Sequence, residues 1–196
     1  MGNVVLDISV SVDGFITGPN DVIGRPLGDG GERLHHWISD RRTDDDEKVL
    51  RELFEDTGAV VAGRRTYDLS EGPDGWGDGP LGTTPVFVVT HDAPVRTATG
   101  GAVFTFVTDG VASAVRKAMA VAGDRNVYVM GGGDLARQCV AAGLVDEIQL
   151  HLVPVLLGGG VPLFGPGGPG NVVLESNRVI ATPSATHVRY RVLNSV

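Results

Sequence analysis

The chain has 196 residues, enough for one domain with a real hydrophobic core, and its 42% hydrophobic and 20% charged content is ordinary for a globular protein. A formal net charge of -8 gives no electrostatic reason to expect nucleic acid or an anionic membrane as partner, so an anionic ligand would need local arginines. The single cysteine, Cys139, excludes an intrachain disulfide and a multi-cysteine metal site; with no leader-like N-terminus and no apolar run able to cross a bilayer, the chain reads as a soluble cytoplasmic protein.

Val4 to Val12 predicts a first strand, mostly apolar but carrying Asp7, Ser9 and Ser11, and Asp13-Gly14 ends it. The loop GPNDVIGRPLGDGGE follows, long enough to suggest a lid or one wall of a pocket. Arg33 to Ile38 predicts a short helix with His35, His36 and Trp37. Thr43 then caps a longer one, in which Asp44, Asp45, Asp46 and Glu47 complement the helix dipole better than they suit a metal. Val49, Leu50, Leu53 and Phe54 form its core face, and Gly58 stops it. Ala59 to Ala62 reads as a strand covered on both faces and leads into Gly63-Arg64-Arg65-Thr66, where two guanidinium groups suit bidentate phosphate recognition.

Beyond a loop containing Trp76, strands are expected at Pro85 to Val89 and Val103 to Val107, then a helix from Val111 to Val121 capped by Thr108 or Asp109. Val127 to Met130 is a short buried strand, followed at once by Gly131, Gly132 and Gly133 and by a helix from Asp134 to Ala142, with Gly143-Leu144 as its stop. Strand, glycine turn and helix N-terminus together make an anion site; a plain tight turn is the alternative. Ile148 to Val155 is the next strand. The last two, Val172 to Glu175 and Thr186 to Leu193, form an antiparallel edge on which His187, Arg189 and Arg191 mark a wet face. Glycine, at 29 copies roughly twice its usual share, clusters in punctuating runs between apolar segments. No repeat or linker divides residues 1–196, so the expectation is one α/β domain with a mostly parallel sheet.

The segments SVDGFI, VVAGRRTY, VFVVTH, VYVMGGGDL and LVDEIQLHLVPVLLGGGVPLF, in that order and spacing, resemble the dihydrofolate reductase-like family. They are most similar to the branch that includes the C-terminal reductase domain of bifunctional riboflavin biosynthesis proteins. The resemblance implies a dihydrofolate reductase-like, doubly wound sheet with an NADPH site along the C-terminal strand ends. It implies that Gly63, Arg64, Arg65 and Thr66 form a cofactor element, with the arginines near the adenosine 2′-phosphate or the pyrophosphate. Thr90 and His91 would flank the adenine-ribose end, and Gly131, Gly132, Gly133, Asp134 and Leu135 would hold the pyrophosphate on backbone amides. Asp134 departs from the pattern, since dihydrofolate reductases usually carry a basic residue there; as a helix N-terminal carboxylate it could turn away from the ligand.

On the substrate side the resemblance brings forward His151 as a catalytic proton donor, with a hydrogen-bonded core histidine as the alternative. Asp13, Phe15 and Trp37 are pocket candidates, Trp37 equally a core residue, and Glu32 is a nearby acidic candidate. One cysteine cannot supply the zinc motif of the deaminase half, so the implied enzyme is a free-standing reductase. The implied activity is NADPH-dependent hydride transfer to a small heterocyclic (pyrimidine- or pterin-like) or sugar-derived substrate, with no metal. A flavin- or deazaflavin-using reductase and a nucleotide-binding protein without catalysis are the alternatives. Leu163, Phe164 and the terminal strands suggest a homodimer formed through the C-terminal third; the alternative is a monomer with Phe164 in its core.

Overall fold

A computed structural model describes residues 2–70, 82–94, 103–165 and 168–193; Trp76 lies outside them. Strand β1 (Val4–Ser11) is followed by the glycine-rich loop and a 3-10 helix (Gly31–Ile38), then α1 (Asp44–Asp56), β2 (Thr57–Gly63) and α2 (Arg64–Leu69). After these come β3 (Pro85–Val89), β4 (Val103–Val107), α3 (Val111–Ala122), β5 (Asn126–Met130) and α4 (Gly133–Ala141). The chain closes with β6 (Glu147–Val153), β7 (Val173–Ala181) and β8 (Thr186–Leu193). The eight strands form one sheet in the order β4-β3-β2-β5-β1-β6-β8-β7. All neighbours are parallel except β6 with β8 and β8 with β7, so the antiparallel edge is as expected.

The central strands are apolar on both sides because both sides are covered. Leu6, Val61, Val127 and Val129 meet α3 and α4, where Ala114, Ala118, Leu135 and Cys139 complete the larger core cluster. Gly58 does not stop α1, which ends at Asp56 with Thr57 Oγ1 donating to Leu53 O at 2.6 Å. Its glycine is needed for packing: a Cβ there would lie 2.7 Å from Ala122 Cβ, so it lets β2 and α3 approach closely. Helix α3 is capped by Gly110, while Asp109 accepts a hydrogen bond from Ser113 Oγ.

The opposite face of the sheet is covered in two separate patches. Val60, Ala62, Val86 and Val88 pack around Tyr67 of α2, and Leu34, Trp37, Val49, Val153 and Ala185 pack beneath the 3-10 helix and α1. Between the patches the cover is interrupted. That gap positions the site.

Two readings of the C-terminal third need correction. The supposed wet face of β8 lies under α1: His187 is buried, Arg189 pairs with Glu147, and only Arg191, paired with Glu175, is exposed. Leu163 belongs to the core, whereas Phe164 is 42% exposed and not the buried anchor of a closed monomer core. The outermost strand β7 is exposed along nearly its whole length.

Candidate functional site

The gap is a cavity of about 700 Å³, within the roughly 300–1,000 Å³ usual for small-molecule and cofactor sites. Its floor is the sheet, through Asp7 and Ser9 of β1, Tyr128 and Met130 of β5, and His151 of β6. Leu50, Leu53 and Phe54 of α1, with Trp37, form an apolar wall. This is why three of the four residues expected as the α1 core face are only half-buried while Val49 is packed. The glycine-rich loop supplies the third side through Asp21, Gly24, Pro26 and Leu27, a wall as the sequence suggested. Arg65, Thr66 and Leu69 of α2 face it, and Gly131 and Gly132 close one end.

The glycines divide by role. Gly131 and Gly132 both have φ near +70°, a conformation that side-chain-bearing residues rarely adopt. A Cβ on Gly131 would also lie 2.5 Å from Thr66 Oγ1, so Thr66 seats directly on this turn. Gly133 starts α4 and serves packing, since its Cβ would come within 2.3 Å of Pro162 O. Leu135 is a core side chain that can offer only backbone to a ligand. Asp134 accepts from Arg137 Nη2 at 3.0 Å and Gln138 Nε2 at 2.7 Å, so its carboxylate is held on its own exposed helix surface and does not line the cavity. Cys139 on the same helix is buried, and burial pushes its thiol up to about 11.

The two arginines point apart. Arg65 lines the cavity and binds Asp21 across its mouth, Nε to Oδ2 at 3.0 Å and Nη2 to the backbone oxygen at 3.1 Å, tying the loop to α2. Arg64 turns the other way, bonding Asp68 Oδ1 at 2.8 Å, Asp92 O at 2.8 Å and Thr90 Oγ1 at 3.3 Å. Thr90 is buried and donates to Asp92 O, and His91 lies exposed beside it; neither lines the cavity.

Asp13 and Phe15 are not pocket groups. The Asp13 carboxylate accepts from Ser11 Oγ, Leu157 N and Gly158 N, which clasps two loops together. The Ser11 bond first, then the Gly158 amide, holds its pKa below the usual carboxylate value. Phe15 bridges to Pro162 through backbone and donates its amide N–H to Ser11 Oγ at 2.9 Å.

Beneath the cavity runs a buried polar chain that sequence reasoning caught only in part. Parallel register sets Ser9 beside His151, and antiparallel register sets His151 beside His187, so the three lie in one cross-strand row. His151 is 1% exposed. Its Nδ1 lies 2.6 Å from His187 Nδ1 and its Nε2 3.2 Å from Asp7 Oδ2. His187 Nε2 lies 2.8 Å from Asp46 Oδ1. Trp37 covers the pair, 4.2 Å from the His151 ring and 4.9 Å from His187, and donates Nε1–H to Ser9 Oγ at 2.9 Å. It therefore belongs both to the cavity wall and to the core.

Asp46 is fully buried and is no mere dipole complement. It accepts from Thr43 N at 2.7 Å, Thr43 Oγ1 at 2.6 Å and Thr182 Oγ1 at 2.9 Å as well as from His187. Burial alone would raise its pKa, but the Thr43, His187 and Thr182 bonds together outweigh burial and lower it. His187 is lowered by burial first, with the Asp46 bond opposing and His151 assisting. Tyr128 is pushed up to about 12, by burial and then by the Asp7 charge. His35 keeps an accessible face inside the cavity, yet the atoms around it push its pKa down to about 4, with the His151 charge adding to the effect. The signals were present in the sequence: Asp46 stands three residues after Thr43, as a capping box requires, and Asp7 interrupts an apolar strand.

The profile of the RibD C-terminal domain family matches residues 3–188. The uncharacterized protein YyaP of Bacillus subtilis (strain 168) is 25% identical over 172 residues, covering 82% of this chain and 79% of that one. A protein from Shewanella sp. PV-4, assigned provisionally to riboflavin biosynthesis, superposes with a TM-score of 0.73 at 24% identity, over 99% of this chain and 100% of that one. Dihydrofolate reductase from Enterococcus faecalis, complexed with NADP(H) and RAB-propyl, gives a TM-score of 0.61 at 17% identity over 99% and 98% of the two chains. The fold is therefore dihydrofolate reductase-like, and the chain belongs to the RibD C-terminal domain family.

Proposed function

We propose that this protein is an NADPH-dependent reductase of a small, flat heterocycle of pyrimidine or pterin type. The observation that carries the reading is one cavity with a glycine turn and helix start at one end and an Asp7–His151 pair on its floor. Gly131 and Gly132 leave backbone amides free of side-chain cover at the start of α4, where helix dipole and N–H groups favour a pyrophosphate. Arg65 is the residue that would take a phosphate, in exchange for its bond to Asp21. Arg64, tied to the end of β3 with Thr90, would have to give up those bonds to take the adenosine 2′-phosphate. The cofactor, when bound, supplies a hydride and hence two electrons.

This chain's own residues do the rest. The α1 wall and Trp37 offer apolar and aromatic surface against which a planar ring packs and from which water is displaced. Asp7 and His151 hold a proton beside that ring, while Tyr128 stays protonated at neutral pH and does not serve as a base. Catalysis then rests on positioning and on proton supply.

Calorimetric titration with NADPH, NADH and FMN in parallel tests the reading. NADPH is expected to bind most tightly, and Arg64→Ala to weaken NADPH more than NADH because a charge-assisted contact to the 2′-phosphate is lost. Binding of FMN alone would overturn the proposal, and equal losses for the two nicotinamides would show that Arg64 does not read the 2′-phosphate.

A further inference from the structure

The geometry of the buried chain fixes how many protons it holds. Between His151 Nδ1 and His187 Nδ1, 2.6 Å apart, one proton must lie. Asp46 is an acceptor toward Thr43 and Thr182 and has a lowered pKa, so the proton in its contact with His187 Nε2 belongs to the imidazole. The contact between His151 Nε2 and Asp7 Oδ2 needs a third. Two neutral imidazoles carry only two. Either Asp7 is a carboxylic acid donating to His151, or Asp7 is ionised and the histidine pair is cationic; the two states differ only by one proton crossing the Asp7–His151 contact. Both rings are sealed from solvent, His151 at 1% and His187 at 4% exposure, which disfavours a cationic pair and leaves the mobile proton at the Asp7 end.

We propose that Asp7, His151, His187 and Asp46 form a single proton-storing chain whose open end, the Asp7 carboxyl on the cavity floor, protonates the substrate. The proposal rests on the reductase reading and adds the source of its proton. Hydride addition to the carbon of a C=N or C=O bond moves the π electron pair onto the heteroatom, which must then bind one proton. Asp7 gives it and becomes a carboxylate or, where the histidine pair is cationic, relays it from His151 Nε2 and leaves the pair neutral. The two electrons are those of the hydride that a bound reduced nicotinamide would supply, and solvent entering after product leaves restores the proton. Asp7 is 14% exposed and lines the cavity, whereas Asp46 at the other end is sealed. The chain is thus a store and not a conduit to bulk water. Asp46 and His187 are positioning residues that fix the His151 tautomer, as a buried carboxylate does for a catalytic imidazole.

The charged and titratable groups around the chain come from every element packed on it. His35 of the 3-10 helix faces His151 and is kept neutral, and Tyr128 of β5 feels Asp7. Arg189 of β8 is held by Glu147 of β6. Of the two carboxyl groups in the proton-storing chain, that of Asp7 lines the cavity, beside His151, and that of Asp46 is sealed.

Nitrogen-15 and carbon-13 NMR of the histidine rings and the Asp7 carboxyl, with pH varied, reads the proton directly. The wild type is expected to show a protonated nitrogen between the two rings and one common midpoint for Asp7 and His151. His187→Gln should displace the Asp7 midpoint by at least tenfold in proton affinity, and Asp7→Asn should leave His151 and His187 neutral with NADPH affinity within twofold. NADPH oxidation by a panel of cyclic imines and aminopyrimidinones, from pH 5 to 9, gives the second readout. There Asp7→Asn should lower kcat at least 100-fold and flatten its pH profile. Independent midpoints, or an Asp7→Asn variant that keeps its kcat, would overturn the proposal. Absence of both NADPH binding and turnover, with the common midpoint intact, would instead sink the reductase reading and with it the assigned use of the proton, leaving the stored proton itself established.

Discussion

Replacing Asp46 with Ala separates a buried anchor from the three acidic neighbours that look the same in sequence. The Thr43 amide and the His187 Nε2–H lose an acceptor on the spot, while Thr182 can turn its hydroxyl to Ala185 O at 3.1 Å. A hydrogen bond to a charged group contributes about 1.5–3 kcal/mol net, so two irreplaceable bonds cost about 3–6 kcal/mol, with a central value near 4. For a domain of this size that lowers the thermal midpoint by roughly 8–16 °C, at about 2–4 °C per kcal/mol. Asp45→Ala is the control, because Asp45 is exposed and pairs only with exposed Lys48; it should change stability by no more than about 0.5 kcal/mol. Urea denaturation followed by fluorescence, with the slope unchanged, measures both. The Asp46 pKa is lowered on folding, so its contribution is complete above the ordinary value of 3.8 and disappears as pH falls through the folded value. If Asp46→Ala costs under 1 kcal/mol at pH 7, the reading of Asp46 as the anchor of the chain is wrong.

Gly131→Ala and Gly132→Ala share the left-handed strain of about 1–2 kcal/mol, but only the first drives a Cβ into Thr66, the nearest atom to the second lying at 3.7 Å. Gly131→Ala should therefore be the less stable by at least about 1 kcal/mol in urea melts, and equal losses would count against the close seating of Thr66 on the turn. His187 is buried and its folded pKa lies below the ordinary 6.5, so the stability tied to its neutral form is present above pH 6.5 and lost as pH falls below it; a denaturation midpoint flat through that fall would contradict its burial. We also propose that the chain forms a homodimer through its C-terminal third, where edge strand β7 exposes Val173 and Val179, and Phe164 stands free of the core. Light scattering at micromolar concentration should then give twice 20.5 kDa, and a monomer mass unchanged on dilution would refute it.

Periodicity carried most of the fold. Strands β3 and β4 fall at their expected residues, and the glycine turn with its following helix lies within one residue of expectation. Strands β3 and β5 are read well because both are buried on both faces, so that local pattern equals tertiary environment. Helix α2 was not anticipated, since six residues beginning with two arginines carry no usable period. The errors elsewhere share a cause. Alternation on β8 predicts wet against dry, but His187 of that polar row lies under α1, buried against partners 141 and 36 residues away in the chain. Asp46 looked like its neighbours because burial at one position of a helix's first turn depends on what packs across it. Within the candidate site, the residues that line the cavity through backbone or a turn were legible, while those whose side chains turn aside, Arg64, Asp134 and Asp13, required the geometry.

Cys139 makes the cradle's motion measurable. It is the one thiol of the chain, fully buried on the sheet-facing side of α4, with its pKa raised to about 11, so at neutral pH a thiol reagent meets neither thiolate nor access. Modification must wait until α4 lifts from the sheet, and its rate therefore clocks that opening. Because the same helix begins at the glycine turn, any ligand gripping that turn in the closed form will slow the clock in proportion to its occupancy. A stopwatch and a colourless thiol reagent can thus report on ligand binding before any turnover assay exists.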